Sequence, residues 1–256
     1  MMDVKMVVLD LDGTLLREDK TVSERSLEVL EECRERGILI AVATARSRVL
    51  GARYFTDFFM PDVLIHDGGA RAVVGEEIIY NMDMDRELAM EIVRAFEGSN
   101  FAIRGDEAYF YSNEMSDYAK ARAAAGFRVE KYCPDRGIDA PVYKLSVVIE
   151  RDAAEGIVEK HPQLGYIGYS DAPVISFGLK DATKWGALAA VAVYLGIDIA
   201  HIAAIGDDWN DLEMIERCGI GVAMGNAIDE VKAVADYITV SNDEDGVAVW
   251  LEENVL

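Results

Sequence analysis

Residues 5–16, KMVVLDLDGTLL, decide how the rest of the chain is read. Met6-Val7-Val8-Leu9 is a continuous apolar run of strand length, the pattern of a strand buried on both faces. It ends in two carboxylates, Asp10 and Asp12, around a single leucine. An ionised carboxylate buried without a partner costs on the order of several kcal/mol. A core strand that delivers two of them to one end therefore calls for something there to offset their charge.

Further along, TVSERSLEVLEECRERG (21–37) offers Thr21 as an N-cap with Glu24 three residues on, a capping box. Leu27, Leu30 and Cys33 then line one helix face, and Gly37 is the stop. ILIAVATAR (38–46) is a second buried strand, SRVLGARYFTDFF (47–59) a helix and DVLIHDGG (62–69) a third strand. Repeated strand–helix units with continuous apolar strands specify an α/β domain whose parallel sheet is covered on both faces.

Near residue 72 the texture changes. RAVVGEEIIYN reads as a hairpin turning at Gly75-Glu76. A helix over 85–97, strands NFAIRG and EAYFYS, and a helix through EMSDYAKARAAAG follow. VYKLSVVIE (142–150), a helix over 152–161 and strands LGYIGYS and PVISFG complete a mixed, antiparallel α+β stretch. From residue 183 the first texture returns: a helix (183–195), the strand HIAAIG (201–206), a helix after Trp209, the strand GIGVAM, a helix over 227–235 and the strand YITV. The chain thus reads as one core formed by residues 1–81 and 182–256, interrupted by a smaller domain at 82–181.

With 47 Asp and Glu against 25 Lys and Arg, the formal net charge is −22. Neither nucleic acid nor an anionic membrane is expected as a partner, because both need a basic surface. Nothing calls for an obligatory protein partner. Cys33, Cys133 and Cys218 are odd in number and widely spaced, the pattern of buried thiols in a reducing compartment. The first apolar run meets Asp10 too soon for a signal peptide. The longest nearly uncharged stretch, WGALAAVAVYLGI (185–197), is too short to span a bilayer, so a cytoplasmic protein is expected.

In an open parallel sheet, ligands bind beyond the carboxyl ends of the strands. Three polar loops follow apolar strands there: Asp10-Leu11-Asp12-Gly13-Thr14, Thr44-Ala45-Arg46 and Gly206-Asp207-Asp208-Trp209-Asn210-Asp211. If the loops are neighbours, as many as five carboxylates share one site, which like charges do only around a cation. Hard oxygen ligands favour Mg²⁺, which commonly binds a substrate phosphate as well.

DLDGT (10–14), T-x-R (44–46), Lys184 and GDDWND (206–211) together resemble the motifs of the haloacid dehalogenase superfamily of phosphatases. The tail GDDWNDLEMIERCGIGVAMGNAIDEVKAVADYIT (206–239) resembles its Cof-type sugar-phosphatase branch, in which a specificity cap is inserted between the second and third motifs. The resemblance covers both ends of the chain and only the outline of the insert. It implies a Rossmann-like, doubly wound core with an inserted cap, and a Mg²⁺-dependent phosphatase acting on a small phosphorylated metabolite, a sugar phosphate. On this resemblance Asp10 attacks phosphorus and forms an aspartyl-phosphate. Asp12 protonates the leaving oxygen and later deprotonates water. Mg²⁺ is held by the Asp10 carboxylate, the Asp12 backbone carbonyl and Asp207, with Asp211 direct or through water. Thr44, Lys184 and the N–H groups from Leu11 to Gly13 hold the phosphoryl oxygens. Ala45 and Arg46 of the second motif and Asn210 of the fourth are further candidate contacts.

Plainer readings compete. Asp10 and Asp12 alone could form an Asx-turn, Thr44 a strand-end hydroxyl and Arg46 a surface ion pair. A lysine at a helix start opposes the helix dipole, which favours a functional reason for Lys184. His66, His161 and His201 lack metal-ligand spacing and read as structural. GIGVAMG (219–225) misses the dinucleotide fingerprint. Two departures from the family pattern stand out: Trp185 after Lys184 where glycine is usual, and Gly-Gly-Ala (68–70) where Asn-Gly-Ala is usual. Within the insert Arg104, Lys144 and Lys180 are candidate cations for an anionic substrate, against a reading as surface charge. A phosphomutase shares the aspartyl-phosphate chemistry. A receiver-like phospho-aspartate switch shares the acids, threonine and lysine but gives no role to Asp12 or the insert.

Overall fold

In the computed structural model, which describes residues 2–48, 60–96, 99–105, 108–112, 115, 117–124, 126–169 and 172–256, the opening apolar run is strand β1 (Met6–Leu9), with every residue fully buried. The other strands are β2 (Leu39–Ala43), β3 (Val63–His66), β4 (Arg71–Val74), β5 (Glu77–Asn81), β6 (Phe101–Arg104), β7 (Ala108–Tyr111), β8 (Arg128–Lys131), β9 (Lys144–Val147), β10 (Leu164–Tyr169), β11 (Ala172–Leu179), β12 (Ile202–Gly206), β13 (Ile220–Ala223) and β14 (Tyr237–Ile238). The described helices are α1 (Glu24–Glu35), α2 (Arg86–Ala95), α3 (Asp117–Ala124), α4 (Arg151–Lys160), α5 (Lys184–Leu195), α6 (Leu212–Arg217), α7 (Asp229–Val234) and α8 (Gly246–Asn254).

The chain divides into two compact units. The first holds an eight-stranded sheet in the order β14-β13-β12-β1-β2-β3-β4-β5. Pairing is parallel from β14 to β3 and antiparallel through the β4–β5 hairpin. Helices α1 and α8 pack together, while α5, α6 and α7 form a second group; this is the Rossmann-like, doubly wound α/β arrangement. The chain leaves β1 toward β2 on one side and returns through β12 on the other, so the strand order reverses at β1. Ligands bind at such switch points, and here the carboxyl ends of β12, β1 and β2 lie side by side.

The second unit consists mainly of Met82–Ala182, with Ser47 and Arg48 grouped with it. Its six-stranded sheet has the order β10-β11-β9-β6-β7-β8. Pairing is antiparallel except between β7 and β8, which are parallel. Met84, Leu88, Ile92, Ala154, Ile157 and Phe177 belong to its separate apolar cluster.

Several expectations need correction. Helix α1 is capped by Ser23, whose Oγ accepts the Ser26 N–H at 3.0 Å, and not by Thr21. Asp19 engages the Thr21 hydroxyl at 2.6 Å and its N–H at 2.9 Å, so that side chain serves the preceding turn. Cys33 and Cys218 are buried but Cys133 is exposed, in the loop that follows β8. From Val49 to Phe59 the helix expected over 47–59 lies outside the described residues. No helix of the described residues is long and apolar enough to cross a membrane.

Candidate active site

Asp10 follows β1 and is 5% exposed, and its N–H donates to the Ile205 carbonyl of β12 at 3.0 Å. Lys184 is the first residue of α5, behind the N-cap Thr183, and is almost fully buried. Its ammonium donates to Asp10 Oδ1 and to Asp211 Oδ1, each at 2.6 Å, and to Asn210 Oδ1 at 3.3 Å. Asp211 is fully buried, and its other oxygen accepts the N–H groups of Asp207 and Asp208 at 3.0 and 3.2 Å. Asp207 Oδ1 accepts from Thr14 Oγ1 at 2.8 Å. Carboxylate oxygens of Asp10, Asp207 and Asp211 all lie within 4.8 Å of one another. Gly13, at φ +80, admits this closeness, because a Cβ there would run into the Asp207 carboxylate.

Burial pushes the Asp10 carboxyl up to about 8, opposed by the Lys184 ammonium and assisted by Asp211. Burial alone would lower Lys184, but the two carboxylates beside it push its affinity for the proton above the ordinary lysine value. Asp207 rises to about 6 through burial, against the hydrogen bond from Thr14. One ammonium among three carboxylates thus leaves negative charge uncompensated in a poorly solvated place, the condition that favours binding a cation.

Residues 7–251 match the model of the haloacid dehalogenase-like hydrolases. The chain belongs to this family. A putative phosphatase of Haemophilus influenzae is 31% identical over 263 residues, covering 97% of each chain. A 5-amino-6-(5-phospho-D-ribitylamino)uracil phosphatase of Bacillus subtilis is 28% identical, covering 97% of this chain and 96% of its own. Among solved structures, a sugar phosphatase of haloacid dehalogenase subclass IIB superposes with a TM-score of 0.79 at 25% identity, covering 98% of both chains. The hydrolase is accordingly a phosphatase, of the Cof type within the family, and the receiver-like switch is set aside.

In this hydrolase three carboxylates come together, not five. Asp208 is exposed and takes the Trp209 N–H at 2.8 Å. The Asp12 side chain instead meets Arg46, whose Nε and Nη2 donate at 2.6 and 2.8 Å, and Lys20, whose Nζ donates at 3.0 Å. Partial burial would raise the Asp12 carboxyl, but Arg46 and Lys20 hold it down at about 2. Thr44 is buried, with Oγ1 accepting the Arg46 N–H at 3.1 Å, while Ala45 and Asn210 are exposed. The Leu11 N–H favours the charged form of the Asp10 carboxylate, against the effect of burial. His66 is fully buried with Nδ1 3.0 Å from Asp67 Oδ2, inside the fold.

Reading the sequence missed the residues that support this loop. Lys20 reaches Asp12 from a left-handed turn at φ +65, which no sequence pattern announces for lysine. Asn226 donates to the Gly13 carbonyl and Asn242 to the Leu16 carbonyl, each at 2.8 Å. The available signal was Gly225-Asn226 directly after an apolar strand, the punctuation of a loop with a backbone-binding side chain.

Proposed function

We propose that this hydrolase cleaves a small phosphorylated metabolite, a sugar phosphate, with Asp10 as nucleophile and Mg²⁺ as cofactor. The observation that carries the reading is the buried cluster of Asp10, Asp207 and Asp211 around a single ammonium. The donors fit a hard divalent ion, since they are carboxylate oxygens, and Asp207 is pushed up to about 6 by burial, with Asp211 and Asp208 adding to it, a strain that a cation relieves. Asp10, Asp207 and the Asp12 backbone carbonyl would hold Mg²⁺. Both Asp211 oxygens already accept hydrogen bonds, which suits a contact through water better than a direct one. Bound there, Mg²⁺ supplies positive charge against the phosphoryl oxygens.

Lys184 orients the Asp10 carboxylate and offers its ammonium to the transferring group. Asp10 attacks phosphorus, the bond to the leaving oxygen breaks, and an aspartyl-phosphate forms. Asp12 gives a proton to that oxygen, then takes one from the water that attacks the aspartyl-phosphate, so its protonation state is restored at the end of the cycle. Thr44, the N–H groups from Leu11 to Gly13, Ala45, Arg46 and Asn210 receive the phosphoryl oxygens. Residues 82–181 serve as the cap that selects the leaving group.

Excess chelator is expected to abolish hydrolysis of phosphate monoesters, and Mg²⁺ to restore it. Asp207→Ala is expected to raise the Mg²⁺ concentration needed for half-activity. Full activity in excess chelator would overturn the metal assignment.

A further inference from the structure

The Asp12 carboxylate has two cationic partners. Its Oδ1 accepts from Arg46 Nη2 at 2.8 Å and from Lys20 Nζ at 3.0 Å, and its Oδ2 accepts from Arg46 Nε at 2.6 Å. One negative charge between two positive ones leaves this trio with a surplus positive charge, in a chain whose formal net charge is −22. A dianionic phosphate beside the trio can draw one cation to itself and still leave the carboxylate paired.

The two cations differ in how they are held. Lys20 lies in the left-handed region at φ +65, which a lysine rarely adopts. Its turn is tied on several sides. The Arg17 N–H donates to the Thr21 carbonyl at 3.0 Å, and the Lys20 N–H to the Arg17 carbonyl at 2.9 Å. Arg17 Nη2 donates to Asp245 Oδ1 at 2.7 Å, and the Glu18 N–H to Asp243 Oδ1 at 2.9 Å. A surface lysine that supplied only solvated charge would need no such turn, whose left-handed residue carries a cost in strain. The backbone that carries the ammonium is thus fixed next to Asp12. Arg46 instead offers planar guanidinium donors that match phosphate oxygens in pairs. Arg46 is the cation suited to leave the carboxylate, and Lys20 the one suited to stay.

We infer that Lys20 is a positioning residue that keeps the Asp12 carboxylate paired while Arg46 turns to the phosphoryl group. Without Lys20, release of Arg46 would strand the carboxylate, and phosphate would bind less tightly. With it, Oδ1 stays on the ammonium, and Oδ2 is the oxygen opened for the proton transfer proposed for Asp12. The inference rests on the reading that Arg46 receives phosphoryl oxygens of the substrate.

The test is calorimetric titration of the full chain with inorganic phosphate, at low ionic strength with Mg²⁺ present. Lys20→Gln is expected to raise Kd about fivefold, near the upper end for a part-exposed ion pair. Lys20→Arg is expected to stay near the parent value. Glycine suits the left-handed turn, so a loss shared by Lys20→Gln and Lys20→Gly belongs to the charge and not to the fold. With Asp12→Asn in place no carboxylate is left to strand, and adding Lys20→Gln is expected to change Kd by less than about twofold. Equal Kd in the parent, Lys20→Gln and Lys20→Gly would overturn the inference. So would a loss that persists undiminished beside Asp12→Asn, because Lys20 would then act on phosphate itself. A parent that binds no phosphate would overturn the reading of Arg46 as a phosphate ligand, and the inference with it.

Discussion

Arg46 grips the Asp12 carboxylate through two N–H groups, at 2.6 and 2.8 Å. A carboxyl held at about 2 has no proton to give at neutral pH, so the proposed acid step requires the grip to loosen as a dianionic phosphate draws Arg46 toward itself. Asp12→Asn keeps the nucleophile and loses the acid, and general acid–base help is worth ~10²–10⁴ in rate. The loss is expected to be large for alkyl phosphates and small for aryl phosphates, whose leaving oxygens need little protonation. Asp10→Asn, by contrast, should abolish turnover of both. Equal losses for the two ester classes in Asp12→Asn would remove Asp12 from the role of acid.

Asp12 on one side and Asp10 with Asp207 on the other give opposite pH signatures in the metal-free protein. Asp12 falls from 3.8 to about 2 on folding, so its stabilisation is complete above 3.8 and is lost as pH drops through that window to 2. Its side chain is 40% exposed, and solvent screening limits the effect to roughly 1 kcal/mol or less. Asp207 rises from 3.8 to about 6 and Asp10 from 3.8 to about 8, so the folded state binds the extra protons and stability falls as pH rises from 3.8 through those values. Urea midpoints across pH 2–7 check both. Asp12→Asn should flatten the low limb relative to the parent, and Asp207→Asn should lessen the decline from 4 to 6 while leaving the part due to Asp10, which continues toward 8.

Lys184 is expected to matter for folding as well as chemistry. Lys184→Met leaves Asp10 and Asp211 buried beside each other without their shared ammonium, and removing one partner of a buried ion pair costs about 3–5 kcal/mol. Urea unfolding at pH 7 in chelator should show a lowered midpoint and a loss of unfolding free energy of that size. An unchanged midpoint would mean that the two carboxylates shed their charge or gain water at no cost.

The thiols should separate cleanly. Burial pushes Cys33 up to about 11 and Cys218 to about 12, while Cys133 is exposed. The thiolate is the reactive form, so a disulfide reagent at pH 8 should modify one thiol per chain quickly and the other two only in denaturant. Rapid modification of Cys33 or Cys218 would show that their surroundings open readily.

The elements legible in the sequence are those whose pattern is set locally. β1, β2 and β12 are continuous apolar runs because both faces are covered, and strand–helix alternation placed them in one parallel sheet, whereas their order in it is set by the crossovers and was not legible. β8, Arg-Val-Glu-Lys, escaped notice because its residues are half-buried to exposed, with no alternation to read. Its parallel pairing with β7 depends on the intervening chain and not on its own residues. Helix α8 was missed for the opposite reason, since Val247, Ala248, Trp250 and Leu251 are all buried and leave no polar face in its first half to mark the period. At the site, the carboxylates and Lys184 were visible as motifs. The partner of each carboxylate was not, because whether Lys184, Arg46 or Lys20 reaches a given oxygen is decided by loops from distant parts of the chain.

Gly69 joins two of those parts. The turn formed by Asp67, Gly68 and Gly69 has φ of +53, +75 and +98. On one side the Asp67 and Gly68 N–H groups donate to the carbonyls of Arg46 and Thr44, at 2.8 and 3.0 Å. On the other, a Cβ on Gly69 would overlap the Thr183 carbonyl and the Lys184 nitrogen, so an added methyl must push the start of α5 away. Lys184 would then move relative to Asp10, and a misplacement of about 1 Å can cost about 10² in rate. Gly69→Ala is therefore expected to lower kcat/KM for an aryl phosphate by one to two orders of magnitude, beyond any loss of stability. Gly37→Ala is the matched control, since Gly37 has φ +80 with nothing within 4 Å of the added carbon. It should lose stability from the same backbone strain while keeping kcat/KM. Equal kcat/KM in the two variants would show that the turn does not set the position of Lys184.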